Sequence, residues 1–148
     1  MMMVKKKDSL TNAIIKKNTD STELNLNQLL SEVKDSRSSP YLLIIQSNTE
    51  NYVKLTVYPI KHDKIIKLTL KGVNILYRDI EILSKRLQEF NIIHTTGLVS
   101  QSKNVIYECY LDLRKIDDVQ YYNLEKSLDK IKNVFKDIKI EEISLNKG

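Results

Sequence analysis

Hydrophobic positions along the chain alternate between two periods. Residues 22–35 (TELNLNQLLSEVKD) place Leu26, Leu29, Leu30 and Val33 at i, i+3, i+4 and i+7, the stripe of a short amphipathic helix, with Asn25 and Gln28 as a capping pair. SRSSP at 36–40 ends it, because Pro40 cannot continue a helix. YLLIIQ (41–46) and YVKLTVY (52–58) flank the polar SNTEN and predict a β-hairpin, which Pro59 closes. IIKLTL (65–70) predicts a third strand ending at Lys71-Gly72, where glycine opens backbone angles closed to other residues. A helix over 75–90 follows, with Leu76, Ile80, Leu83, Leu87 and Phe90 on one face and Asn91 as a left-handed stop. IIHTTGLV (92–99) and NVIYECYLDL (104–113) read as strands around SQSK. A second helix over 121–137 carries Leu124, Leu128, Ile131, Phe135 and Ile138. The last strand is 139–145.

From residue 64 the order is strand, helix, strand, strand, helix, strand. That order predicts an α+β chain with a ferredoxin-like βαββαβ antiparallel sheet. Right-handed crossovers put both helices on one face. The division expected is a flexible basic tail at 1–21, an N-terminal helix plus β-hairpin extension at 22–60, and the ferredoxin-like domain at 61–148. The face away from the helices needs a cover, or must stay polar. The hairpin and N-terminal helix are candidates, and so is a second chain.

Composition narrows the function. The 148 residues fit one domain, and 41% hydrophobic with 29% charged residues is ordinary for a globular chain. No apolar run reaches the ~18–20 residues of a membrane span, so no membrane partner is expected. The N-terminus has lysines but no apolar core after them, unlike a secretory leader. A single cysteine, Cys109, excludes a disulfide framework and points to a reducing, cytoplasmic setting. The net charge is +5, and residues 1–21 supply +3 of it, with five lysines against two aspartates. Lys5, Lys6, Lys7, Lys16 and Lys17 therefore form a candidate contact to nucleic acid phosphates. The alternative is a solvated tail.

Catalytic chemistry finds little support. His94 has no carboxylate or second histidine at a useful spacing, and His62 reads as a loop residue. Cys109 alternates with apolar neighbours on an inward strand face. Asp117 and Asp118 precede a helix and suit its positive end. With three glycines, Gly72, Gly97 and Gly148, no phosphate-cradling loop exists. No cofactor or metal is expected. RNA-binding sheets of this strand order stack bases on aromatics of the central strands, but Tyr107 and Tyr110 fall on opposite faces here.

The stretches KIIKLTLKGVNILYRDIEILSKRLQEFNIIHTTGLV and NVIYECYLDL resemble the ACT domain, and with it the archaeal stand-alone ACT-type regulatory modules. The resemblance covers residues 64–145 and rests on element order and on Gly72 after the first strand. It implies a homodimer, with an amino acid or other small metabolite bound where the first turn of one protomer meets a strand of its neighbour. Gly72, Val73 and Asn74 would line that turn, and His94, Thr95 and Thr96 the facing strand. The expected function is a non-enzymatic regulatory small-molecule-sensing or assembly module acting as a homodimer. The alternative is a nucleic-acid-binding protein using the basic tail and the sheet surface.

Overall fold

The computed structural model describes residues 9–17, 33, 38–113 and 118–145. Their elements are β1 (Thr11–Lys17), β2 (Tyr41–Asn48), β3 (Val53–Ile60), β4 (Lys64–Gly72), α1 (Tyr77–Leu87), β5 (Asn91–Gln101), β6 (Asn104–Asp112), α2 (Asp118–Asp129) and β7 (Asp137–Ser144). The strands form two antiparallel sheets, ordered β1-β2-β3 and β5-β6-β4-β7.

The expected fold class is thereby corrected. The chain is mostly β, seven strands in two sheets with two helices among the described residues, and not a ferredoxin-like domain preceded by a helix and hairpin. The helix expected over 22–35 lies outside the described residues, Val33 apart, as do Lys5, Lys6, Lys7 and Asp117. Residues 11–17, expected in the flexible tail, form β1 and pair with β2 from Thr11↔Ser47 to Lys17↔Tyr41. Their pattern hid them, because Ile14 and Ile15 are the single apolar pair in a polar stretch. Of that pair Ile15 is buried and Ile14 is exposed.

Two cores result. On one face of the larger sheet, Ile66, Leu68 and Leu70 of β4 and Leu111 of β6 pack against Leu83 and Leu87 of α1 and Leu124 and Leu128 of α2. On the other face, Ile65 and Tyr110 pack against Ile15, Leu43, Ile45 and Ile60 of the smaller sheet. The chain's own β1–β3 layer thus covers the face that a second molecule was a candidate to cover. Each fully buried aliphatic side chain contributes roughly 1.5–3 kcal/mol of hydrophobic stabilisation. β4 lies between the layers, and Ile65 through Leu70 are all buried. Alternation in that strand therefore sorts residues between two buried faces, not between core and solvent.

Several boundaries shift for local reasons. Pro59 lies inside β3, opposite Leu42, because an edge strand does not need every donor. α2 stops at Asp129, yet Ile131 and Phe135 stay buried through successive turns in which the Val134 and Phe135 amides donate to the Ile131 carbonyl. Asn91 begins β5 and is no left-handed stop. Gly72 does not supply a left-handed turn either. A Cβ there would lie 2.8 Å from the Val134 carbonyl oxygen, so close backbone approach requires the glycine. The left-handed residue of that turn is Asn74, at φ 56°.

Candidate functional site

The inner face of β4 carries Lys67 and Thr69 where its outer face carries Leu68 and Leu70. β6 brings Glu108 beside Thr69 and Tyr110 beside Lys67. Lys67, Glu108 and Tyr110 all bond to the beginning of β1. Glu108 is fully buried and Lys67 is 4% exposed, with Nζ 3.6 Å from the carboxylate. Charges so placed require hydrogen bonds to offset their desolvation. The first residues of β1 supply them. Glu108 accepts the Leu10 amide at 2.9 Å and the Thr11 amide at 2.8 Å, and the Thr11 hydroxyl also donates to it. Lys67 donates to the Thr11 carbonyl at 2.6 Å, with Nζ 5.8 Å from the Tyr110 ring centroid. The Thr11 and Tyr110 hydroxyls share a bond of 2.7 Å. Burial pushes the Tyr110 phenol up, against a smaller lowering by its bond to Thr11. This arrangement clamps a strand, and every atom that acid–base work would need is already engaged.

Among the described residues the smaller sheet ends at Thr11, over one corner of the larger sheet. A cavity of about 230 Å³ lies there, lined by Ser9, Thr69, Lys71, Asp137 and Lys139. Its floor follows from register, since β4 and β7 pair Thr69 with Lys139 and Lys71 with Asp137. Thr69 is 4% exposed and its hydroxyl has no hydrogen-bond partner. Larger hollows border the helices. The one of about 560 Å³ is lined by Gln88, Phe90, Asp112 and Gln120 among others.

The residues singled out by the ACT resemblance do not come together within the chain. His94 pairs with Tyr110, which pairs with Lys67, whereas Gly72 pairs with Val105, which pairs with Ser100. Five residues of β4 separate the two levels, or ~16 Å at ~3.3 Å per residue. Val73 is exposed in the turn after Gly72, and Asn74 takes the positive φ there. Thr95 and Thr96 serve the irregular part of β5 around Gly97, whose φ is 67°. The Thr95 hydroxyl accepts the Gly97 amide at 3.1 Å. The Thr96 hydroxyl accepts the Glu108 amide at 3.0 Å and donates to the Gly97 carbonyl at 2.9 Å.

His94 ties the far edges of the two sheets together. Its Nδ1 lies 2.7 Å from the Tyr58 hydroxyl of β3, with the rings edge to face. Burial, then the nearby Lys54 charge, lowers its pKa. His62 and Asp112 are 2.8 Å apart. Burial pushes the Cys109 thiol up to about 12. Lys16 and Lys17 end β1. Among the described residues no cluster of three metal-binding side chains occurs.

Sequence reasoning missed Lys67, Glu108, Thr11 and the cavity. The available signal was a lysine and a carboxylate in two adjacent central strands. Reading it required knowing that both faces of those strands are buried. No family model matches the chain, and no curated protein matches it.

Proposed function

We propose that this protein is a non-enzymatic regulatory module of the cytoplasm, sensing a small molecule or supporting assembly, and acting as a homodimer. The observation that carries the reading is that β3 and β5, each last in its sheet, have one edge with no strand partner among the described residues. Among the described residues β3 is bonded along β2 alone and β5 along β6 alone, so each presents a row of backbone groups with no described strand against it. Tyr52 and, within β3, Val53 and Leu55 are 63%, 57% and 48% exposed. A free edge of this kind invites a further strand, and twofold pairing between copies satisfies it. Pairing through the open sheet face is excluded, because β1–β3 occupies that face.

The engagement of reactive groups supports the non-enzymatic part. Cys109 is buried with a raised pKa, His94 is held by Tyr58, and Glu108 is consumed by main-chain amides. No helix among the described residues is long and apolar enough to cross a membrane. The test is the mass of the native particle by light scattering, for the wild type and for Leu55→Lys. The expected result is twice the chain mass for the wild type and a shift toward the single chain for the variant. A single-chain mass for the wild type at every concentration would remove the dimer.

A further inference from the structure

We infer that β3 pairs with β3 of a second copy in antiparallel register, Leu55 opposite Leu55, which joins the β1–β3 sheets of both copies into one of six strands. The inference rests on the homodimer half of the proposed function and names the edge and the register that form it.

Two observations fix which way the β3 backbone groups point. The Thr49 amide donates to the Tyr52 carbonyl at 2.9 Å, in line with the β2–β3 register that sets Asn48 opposite Val53. Bonded and non-bonded pairs alternate along an antiparallel ladder, so Lys54, Thr56, Tyr58 and Ile60 turn their backbone groups toward β2. Val53, Leu55, Val57 and Pro59 turn theirs toward the outer edge, which no described strand occupies. Pro59 agrees with this, because a residue without an N–H fits where no bond to β2 is made.

That outer row selects one self-pairing. A twofold centre at Leu55 sets Val53 opposite the partner's Val57 and Leu55 opposite the partner's Leu55. Each such pair exchanges two bonds, and every member has its N–H. A centre at Thr56 or at Val57 brings Pro59 into the ladder, opposite Val53 or Leu55, and loses a donor.

The side chains fit the same register. Tyr58 and Ile60 face the core between the sheets, which leaves Val53, Leu55 and Val57 together on the far face. Val53 and Leu55 are exposed there, and pairing lays them across from apolar partners. Tyr52, exposed just before β3, comes opposite the partner's Tyr58. Aromatic and β-branched pairs across strands are favourable. Lys54 comes opposite the partner's Thr56, so the two lysines are not directly opposed.

β5 is defended against such pairing. Its ladder to β6 is irregular between Ile92 and His94 and between Thr95 and Leu98, and Gly97 has φ 67°. Irregularities of this kind break the outward row and turn an edge away from a further strand. β3 pairs with β2 from Tyr41↔Ile60 to Asn48↔Val53 without interruption.

The test is cross-linking of the full chain by a short bismaleimide, read as covalent dimer on a denaturing gel. The native cysteine, Cys109, is buried, so the wild type should stay unlinked. Leu55→Cys should link most of the chain, and Ser100→Cys on β5 should not. Val53→Cys equilibrated with Val57→Cys should give at least fivefold more dimer than either alone, because like residues stand ~13 Å apart along the strands at ~3.3 Å per residue. Leu55→Pro removes an outward donor and no bond to β2, so it should stay folded by circular dichroism and show a single-chain mass by light scattering. A two-chain mass with Leu55→Cys left unlinked, or a folded Leu55→Pro chain that keeps the two-chain mass, would overturn this edge and register while the dimer stands. A single-chain mass for the wild type at every concentration would overturn both.

Discussion

Lys67 and Glu108 stand 3.6 Å apart on neighbouring strands, sealed from water, and between them they grip one peptide segment. Glu108 takes its amide protons at Leu10 and Thr11, and Lys67 takes the Thr11 carbonyl. The pair therefore anchors β1, and through β1 the whole smaller sheet. Removing one partner alone leaves an uncompensated buried charge. Lys67→Met or Glu108→Leu alone should lower stability by ~3–5 kcal/mol. The double variant should lose less than the sum of the singles, and urea unfolding of all three measures the coupling. Strict additivity would contradict the pairing.

His94 makes stability depend on pH in one direction. Its folded pKa lies below its ordinary value of 6.5, so the unfolded chain binds the proton more readily. Its contribution is complete above that ordinary value and is lost as pH falls from there through the lowered folded pKa. Thermal melting from pH 8 to pH 5 should show a loss below the mid-sixes, and His94→Gln should flatten that part of the curve. A wild-type curve no steeper than the variant's would contradict the assignment.

Cys109 should be inert in the folded protein. With a thiol pKa of about 12, roughly one molecule in 10⁴ carries the thiolate at pH 8. Iodoacetamide should label the chain in 6 M urea and leave the native chain unlabelled over the same time, as read by mass spectrometry. Rapid native labelling would place the thiol in a different environment.

Gly72 and Gly97 are constrained by different physics, and alanine separates them. At Gly72 a Cβ meets the Val134 carbonyl oxygen at 2.8 Å, which backbone movement alone relieves. Gly72→Ala should cost about 1–3 kcal/mol, as overpacking does. At Gly97 the space is open, and the penalty comes from φ 67°. Gly97→Ala should cost about 1–2 kcal/mol, and Gly97→Asn should recover part of it because asparagine tolerates that region. Equal effects of alanine and asparagine at 97 would argue against a left-handed backbone.

Much of the strand and helix pattern after residue 64 was legible, because Leu83 and Leu87 of α1, and Leu124 and Leu128 of α2, repeat at helical spacing and do pack on one face. The smaller sheet was half legible. β2 and β3 stood out by their apolar runs, but β1 did not. Thr11 and Ala13 are weak hydrophobic signals, and what holds β1 is a polar grip from residues about 56 and 97 positions away. Pairing that distant leaves no periodicity to read. Nothing in IIKLTL marks Lys67 as a buried residue. It became the central polar residue once a second sheet lay over it. Within the chain, the residues expected at a site between two protomers also have structural neighbours that the sequence does not display. Gly72 answers to Val134, and Thr96 answers to an irregularity in its own strand, neither of which the chain order displays.

β1 is an integral strand, gripped at its start by Lys67 and Glu108 and closing the second layer over the larger sheet. Amide hydrogen exchange across residues 9–17 tests it most directly. The expected result is a slow Thr11 amide and bonded β1 amides protected to within about tenfold of those of β2, with that protection collapsing in Glu108→Leu. Exchange of Thr11–Lys17 at the rate of an unstructured peptide in the wild type would contradict it.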